Sequence, residues 1–398
     1  MIEALDQLPV TLKHWLVGWW PVSWRVVVSP LMSAAGLVVA MAGLFGFSTW
    51  LERKGLGRIQ NRLGPNRVGP YGLLQPLADG LKMLTKEDLV PRRADRIVHF
   101  LAPLVLVVPV LLAYAVLPFG RNLVAADFDA GLLFFFAAGS ATELAVFMAG
   151  WSSRNKYSLL GAMRAIAQML SYEIPLVVSA LTAVMLSGSL SLVAVVEHQG
   201  GYHGGWLARW HLFTPWGLAG FLLFLTAATA EANRSPFDLP EGESEIIAGH
   251  LVEYSGFKYA LFFLGEYLGL FAASGLAITL FLGGWRAPVA GLDWVPSYLW
   301  FFLKLLACVA LFIWLRGTLP RVRLDQLLSF AWKFLLPLAF LNLAGAALWH
   351  VTADWSSAAG GLVSWLMGGA LVSVPYVLLG RAQFTRRRRG VRLYRYAD

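Results

Sequence analysis

Apolar residues fall along this chain in long unbroken blocks, not in the short alternating runs of a water-soluble core. A helix needs about 20 consecutive apolar residues to cross the hydrocarbon of a bilayer. Blocks of that kind predict nine spans, at 26–50, 97–118, 130–150, 165–187, 213–231, 259–284, 298–315, 334–351 and 361–380. One stretch between them has a different rhythm. Leu73, Leu77, Leu81 and Leu84 share one helical face, and Asp79, Lys82 and Lys86 fall opposite. That pattern predicts an amphipathic helix lying in the membrane interface. The expected fold class is all-α: a polytopic membrane protein with about nine transmembrane helices and an amphipathic helix on the cytoplasmic side. Residues 1–380 form a single multi-helix membrane domain, and 381–398 a basic tail.

Composition supports this. Of 398 residues, 58% are hydrophobic and only 14% charged, where soluble domains carry about a quarter charged. The net charge of +9 could point to nucleic acid, but in so apolar a chain it marks cytoplasmic loops. With the N-terminus outside, the segments 51–96, 151–164, 232–258, 316–333 and the tail from Arg381 hold 26 Lys and Arg, against five on the other side. That asymmetry sets the expected orientation. It also puts Arg386 to Arg389 where anionic lipid can hold them. The single cysteine, Cys308, rules out an internal disulfide. No small-residue cleavage site follows the apolar stretch around Trp15 to Trp24, so no cleaved signal peptide is expected. No internal repeat is evident, which removes the usual signature of a transporter.

The unusual chemistry lies between the fifth and sixth blocks. Asn233-Arg-Ser-Pro-Phe-Asp-Leu-Pro-Glu-Gly-Glu-Ser-Glu245 follows Glu231 and leads to Glu253 and Glu266. Carboxylates near hydrocarbon cost several kcal/mol and persist in wet cavities or proton paths. Counting about 1.5 Å per residue from the ends of the predicted spans puts Glu173 and Glu143 about 12 Å deep and Glu266 about 10 Å deep. Glu231 sits at the rim. Such a row titrates as a coupled set. For Glu143 alone, an ion pair with a neighbouring cation is an equally good account.

Glu52-Arg53-Lys54-Gly55-Leu56-Gly57, with Gln60 to Pro70 and Leu73 to Asp79, resembles the H-type membrane subunit of respiratory complex I, the family of mitochondrial NADH dehydrogenase subunit 1. The resemblance continues through Ala149 to Tyr157, Arg164 to Gln168, Ser171 to Glu173, Glu231 to Glu245, Val252 to Gly256, Glu266-Tyr267 and Leu319 to Leu327. Arg154 and His250 depart from the family's pattern; His250 adds a group that ordinarily titrates near neutral pH. The resemblance implies a subunit that joins a hydrophilic arm to a membrane arm and forms much of a quinone chamber. It implies quinone-channel roles for Glu52, Arg53 and Asp79, and by proximity Arg62 and Arg67. It implies a proton path through Glu173, Glu231, Glu241, Glu243, Glu245, Glu253 and Glu266, to which the depth count adds Glu143. An apolar portal for the isoprenoid tail is expected at the amphipathic helix and the interfacial ends of the first and sixth spans.

The chain carries no dinucleotide or phosphate-binding glycine motif and no cysteine array. Flavin, iron–sulfur clusters and NADH oxidation are therefore expected on other chains, with no catalytic residue or metal on this one. The implied substrate is a quinone, bound at the interface with partner subunits. Those partners are the peripheral-arm quinone-site subunits and antiporter-like membrane subunits, in a bacterial inner membrane. Two alternatives are the homologous anchor of a membrane-bound hydrogenase and a stand-alone cation/proton antiporter.

Overall fold

Asp95 begins the first well-capped helix by accepting hydrogen bonds from the Ile97 and Val98 amides. Asn155 accepts from Tyr157 and Thr214 from Gly217 in the same way at two later helices. Such side chains satisfy amides that the first turn leaves unpaired. The computed structural model describes residues 5–239 and 247–353, together with 365–366, 368–370, 373–378 and 380–381. Its helices are α1 (Leu8–Gly18), α2 (Val22–Ile59), α3 (Gln75–Thr85), α4 (Arg96–Ala113), α5 (Gly131–Ser152), α6 (Lys156–Ser187), α7 (Leu192–His198), α8 (Pro215–Glu231), α9 (Gly256–Phe281), α10 (Ser297–Thr318), α11 (Leu324–Phe330) and α12 (Leu336–Ala353). A π-helical turn, Ala331–Leu335, joins α11 to α12. The one β element among the described residues is a small hairpin pairing Tyr202–His203 with Leu207–Ala208.

Seven helical stretches among the described residues are long and apolar enough to cross a membrane: Val22–Ile59, Arg96–Val116, Gly131–Ser152, Lys156–Ser187, Gly256–Phe281, Ser297–Thr318 and Leu324–Val351. The fifth predicted span corresponds to α8, which at 17 residues is at the short end of what can span. Of the ninth, at 361–380, the described residues are 365–366, 368–370, 373–378 and 380, and the basic tail beyond Arg381 lies outside them.

Boundaries moved in three places. α2 continues through Glu52-Arg53-Lys54 to Ile59 instead of ending at 50. α6 starts at Lys156, nine residues before the predicted start and capped by Asn155, so Arg164 lies in a helix and not in a loop. Glu173 is then about 26 Å from the start of α6, in the middle of the helix. The segment 316–333, expected as a loop, becomes helical from Leu324.

The core forms around α9. Two-thirds of its apolar stretch is buried, against 6% for α2, which lies at the periphery. Leu268, Phe271, Leu276, Ile278 and Phe281 of α9 meet Leu223 and Phe224 of α8, Leu117, and Phe301 and Leu305 of α10 in one cluster. α4 packs on α5, α6 on α8, and α9 on α4. The amphipathic helix is α3. Leu77, Leu81 and Leu84 are exposed on it, while Asp79 turns toward α2, where it meets Arg53 at 2.6 Å.

Candidate functional site

Two groups of charged side chains occupy the end of the bundle that carries the acidic loop. The first centres on Glu52. This residue is 5% exposed, although it lies on the outermost long helix. A carboxylate is tolerated there because three elements supply it with donors. Arg234, in the loop after α8, donates from Nη1 to both Glu52 oxygens at 3.1 and 3.3 Å. Tyr267 of α9 donates its hydroxyl at 2.5 Å. Arg316, in the last turn of α10, donates to Glu52 Oε1. Arg234 also faces inward: its Nε is 3.0 Å from Glu266 Oε1. That contact is an ion pair without hydrogen-bond alignment, since Nε has no hydrogen-bond partner. The guanidinium lies 4.1 Å from the centre of the Tyr267 ring, within range of a cation–π contact.

The chain turns Arg234 inward by a short tethered loop. Asn233 takes a left-handed backbone, φ 50°, a conformation that asparagine adopts more readily than most residues. Gln168 of α6 reaches across and donates from Nε2 to Ala230 O at 2.7 Å, Phe237 O at 2.8 Å and Asn233 Oδ1 at 3.2 Å. The Val322 amide donates to Pro236 O at 3.1 Å, and Arg321 donates from Nε to Asp238 O at 2.6 Å. The loop is therefore held from both sides by the segments around residues 168 and 321.

The second group is a carboxylate set. Glu143 of α5 and Glu173 of α6 are close enough to share a hydrogen bond. Glu231, at the end of α8, lies within electrostatic range of both. Its Oε2 is buried without a hydrogen-bond partner. A cavity of about 110 Å³ joins this group to the first: Glu231, Asn233, Thr142, His250 and Glu266 all line it. The order through the protein is thus Glu143–Glu173, Glu231, cavity, Glu266, Arg234, Glu52.

A third feature lies at the outer surface. A largely apolar pocket of about 780 Å³ opens between α2 and α10, lined by Trp50, Leu51, Tyr71, Leu73, Ile313 and Trp314 among others. Its walls are α2, the segment 70–73 before α3, and α10. Lys54 and Arg58 are in its lining. Arg53 and Asp79 pair beside it at 2.6 Å, and Gln75 donates to Asp79 at 3.2 Å. Burial raises the Asp79 pKa, but the Arg53 hydrogen bond and charge outweigh it, so the net shift is downward.

Sequence-predicted residues divide accordingly. Glu143, Glu173, Glu231, Glu266 and Glu52 come together in the two groups. Arg62 is exposed and donates to Gln60 at 2.8 Å, and Arg67 is exposed; neither lines the apolar pocket. Glu253 takes the Asn155 side-chain amide at 2.7 Å, which ties the loop before α9 to the start of α6. Glu241, Glu243 and Glu245 lie outside the described residues. Arg234, Tyr267 and Arg316 were not singled out as site residues. A basic residue in the last turn of an apolar span was the available signal for Arg316.

Residues 32–347 match the family model described as NADH dehydrogenase. The chain belongs to this family. It is 51% identical over 314 residues to a protein of Dehalococcoides mccartyi strain CBDB1, covering 77% of this chain and 85% of that one. It is 48% identical over 341 residues to one from Geobacillus kaustophilus, covering 85% and 98%. A third relative, from Polaromonas naphthalenivorans, is 41% identical over 354 residues, covering 87% and 98%. All three are named as the H-type subunit of NADH-quinone oxidoreductase. The family match spans both charged groups, from Glu52 to Arg316, and leaves α1 outside it.

Proposed function

We propose that this chain is the H-type membrane subunit of an NADH–quinone oxidoreductase, and that it couples quinone reduction to proton movement through the row from Glu52 to Glu143. The observation that carries the proposal is the continuity of that row. Six ionisable side chains from α2, α5, α6, α8, α9 and one loop succeed one another, and a cavity lined by both Glu231 and Glu266 lies between the two groups. Structural ion pairs alone would account for Glu52, Arg234 and Arg316. They do not account for Glu231, whose Oε2 has no partner.

The quinone is the substrate in this reading. The apolar pocket between α2 and α10 suits an isoprenoid tail, and Lys54, Arg58 and the Arg53–Asp79 pair supply polar groups at its margin. Peripheral-arm subunits would cover the acidic-loop end and complete the head-group site. Antiporter-like membrane subunits would take up the coupling. The charge asymmetry of the loops favours the acidic loop on the cytoplasmic side of a bacterial inner membrane. The names of the relatives weigh against a hydrogenase anchor or a stand-alone antiporter.

Among the described residues, no group of His, Cys, Asp or Glu forms a candidate metal site. The chain's own work is to hold charge, water and protons in place. Arrival of negative charge at the quinone end would draw a proton toward Glu52 and Glu266, and each uptake changes the balance at the next carboxylate. The test is Glu231→Gln and Glu266→Gln in the purified complex, reconstituted in vesicles, with NADH oxidation and proton translocation measured together. Both variants are expected to lose translocation. Full translocation in both would overturn the reading.

A further inference from the structure

His250 lies in the turn before α9. It is 7% exposed, and its Nδ1 is buried without a hydrogen-bond partner. The ring packs edge-on against Phe262, 5.9 Å between centres. It also lines the cavity that separates Glu231 from Glu266.

The backbone explains how the ring reaches that place. Gly249 has φ +52° and lies flat on α6 at Gly161, where an added Cβ would come within 2.5 Å of Gly249 Cα. With two glycines in contact, the turn presses onto α6, and Ser158 donates to the His250 carbonyl at 3.3 Å. The side chain is then directed among α5, α8 and α9. The ionisable groups in the cavity lining are Glu231 from α8 and Glu266 from α9, beside His250 itself. Thr142 of α5 and Asn233 of the loop add uncharged polar groups.

Two orphaned buried atoms thus belong to residues lining one cavity: Nδ1 of His250 and Oε2 of Glu231. The cavity of about 110 Å³ is walled mostly by apolar side chains, but Thr142, Glu231, Asn233, His250 and Glu266 give it polar groups, and it has room for several waters, each able to bond two or more such groups. Orphaned polar atoms this deep call for a partner, and water is the one that fits.

We infer that His250 is a proton relay between Glu231 and Glu266, acting through water in this cavity. The inference rests on the carboxylate-row reading above and specifies how the step between Glu231 and Glu266 is made. The imidazole accepts a proton at one ring nitrogen from cavity water and releases the proton of the other nitrogen toward the next group. It ends as the opposite neutral tautomer, and rotation of the ring or a return transfer resets it. Burial lowers the His250 pKa to about 4, so the resting imidazole is neutral, the form that can both accept and donate. Besides the two carboxyl groups it would connect, His250 is the one titratable side chain in the described lining. His250 is a relay and touches no quinone.

The test uses the intact complex in vesicles, with proton translocation read against NADH oxidation by an acceptor that bypasses the membrane. His250→Phe keeps an aromatic ring against Phe262 and removes both nitrogens. It is expected to slow coupled proton transfer roughly tenfold or more while leaving the bypass activity unchanged. His250→Gln can hold cavity water but cannot cycle a proton between two nitrogens, and is expected to slow as well. A packing role would instead spare His250→Phe and impair His250→Gln. If His250→Phe translocates at the unaltered rate while Glu231→Gln does not, the relay is wrong and the carboxylate row stands. If Glu231→Gln and Glu266→Gln also translocate normally, both readings fall. Should His250→Phe fail to assemble, Thr142→Val asks the same question by removing a polar group from the cavity wall; an unaltered rate there would overturn the water path.

Discussion

Replacing Arg234 by Met removes one cation from between two carboxylates. Arg234 is 5% exposed, with contacts of 3.1 Å to Glu52 and 3.0 Å to Glu266. The two carboxylates do not suffer equally. Glu52 keeps Arg316 and the Tyr267 hydroxyl. Glu266 has no second cation at ion-pair distance among the described residues. Breaking a buried pair by removing one partner costs about 3–5 kcal/mol, mostly the penalty of the charge left behind. The expected loss for Arg234→Met is of that order, and the charge left behind is Glu266. The double variant Arg234→Met, Glu266→Gln takes that charge away and is expected to recover at least about half of the loss, a non-additivity of about 2 kcal/mol or more. Arg234→Lys keeps the charge but not the fork that serves both partners, and should fall between. The assay is thermal unfolding of the detergent-solubilised complex, followed by native-gel retention of this subunit. Single and double variants that melt together would refute the argument, because the cost would then not come from Glu266.

Gln168→Leu removes one donor from Ala230 O, Phe237 O and Asn233 Oδ1 together. It should destabilise the 230–239 loop by about 2–3 kcal/mol, read as faster hydrogen exchange confined to that loop; exchange unchanged there would sink the tethering argument. Gly161→Ala forces a Cβ to within 2.5 Å of Gly249 Cα and should cost about 1–3 kcal/mol; an alanine variant that melts with the unaltered protein would show that the contact can relax. For pH, burial holds His250 at about 4, below the ordinary histidine value of about 6.5. The unfolded chain therefore binds the proton first as pH falls. This residue's contribution is intact above about pH 6.5 and is lost progressively toward pH 4, by roughly 3 kcal/mol in all. His250→Phe should accordingly lose less stability between pH 7 and pH 4.5 than the unaltered protein, in paired melting curves; equal losses would contradict the assignment.

The long apolar helices were legible in the sequence because burial in lipid leaves a local signal, about 20 apolar residues in a row. Their ends were less legible. α2 runs past Glu52 because Arg234 and Arg316 neutralise that carboxylate from 182 and 264 residues away, and no local window contains those partners. α6 starts early because Asn155 caps it, a signal that was present at 155 but overshadowed by Lys156 and Arg164. The alternating glutamates drew attention to the acidic loop, yet within the described residues the cation that organises it, Arg234, lies at its start. Glu253 entered the row through the family resemblance, and the structure adds its bond to Asn155, a partner 98 residues away that no local window contains. The cavity between Glu231 and Glu266 was not readable at all, since several helices and a turn enclose it and none of them carries its shape.

Glu52 has a consequence for how the chain is made. Its first arginine partner follows it by 182 residues and its second by 264. While a ribosome is still delivering the middle of the protein, α2 carries a carboxylate whose two buried arginine partners have not yet been made. An uncompensated carboxylate resists hydrocarbon, so α2 must wait at the rim, with Glu52 in reach of water, until α9 and α10 arrive. The last turn of α10 then completes the set of partners around Glu52. A chain cut short before Arg316 would lose α11 and α12 as well and would leave Glu52 without its second arginine.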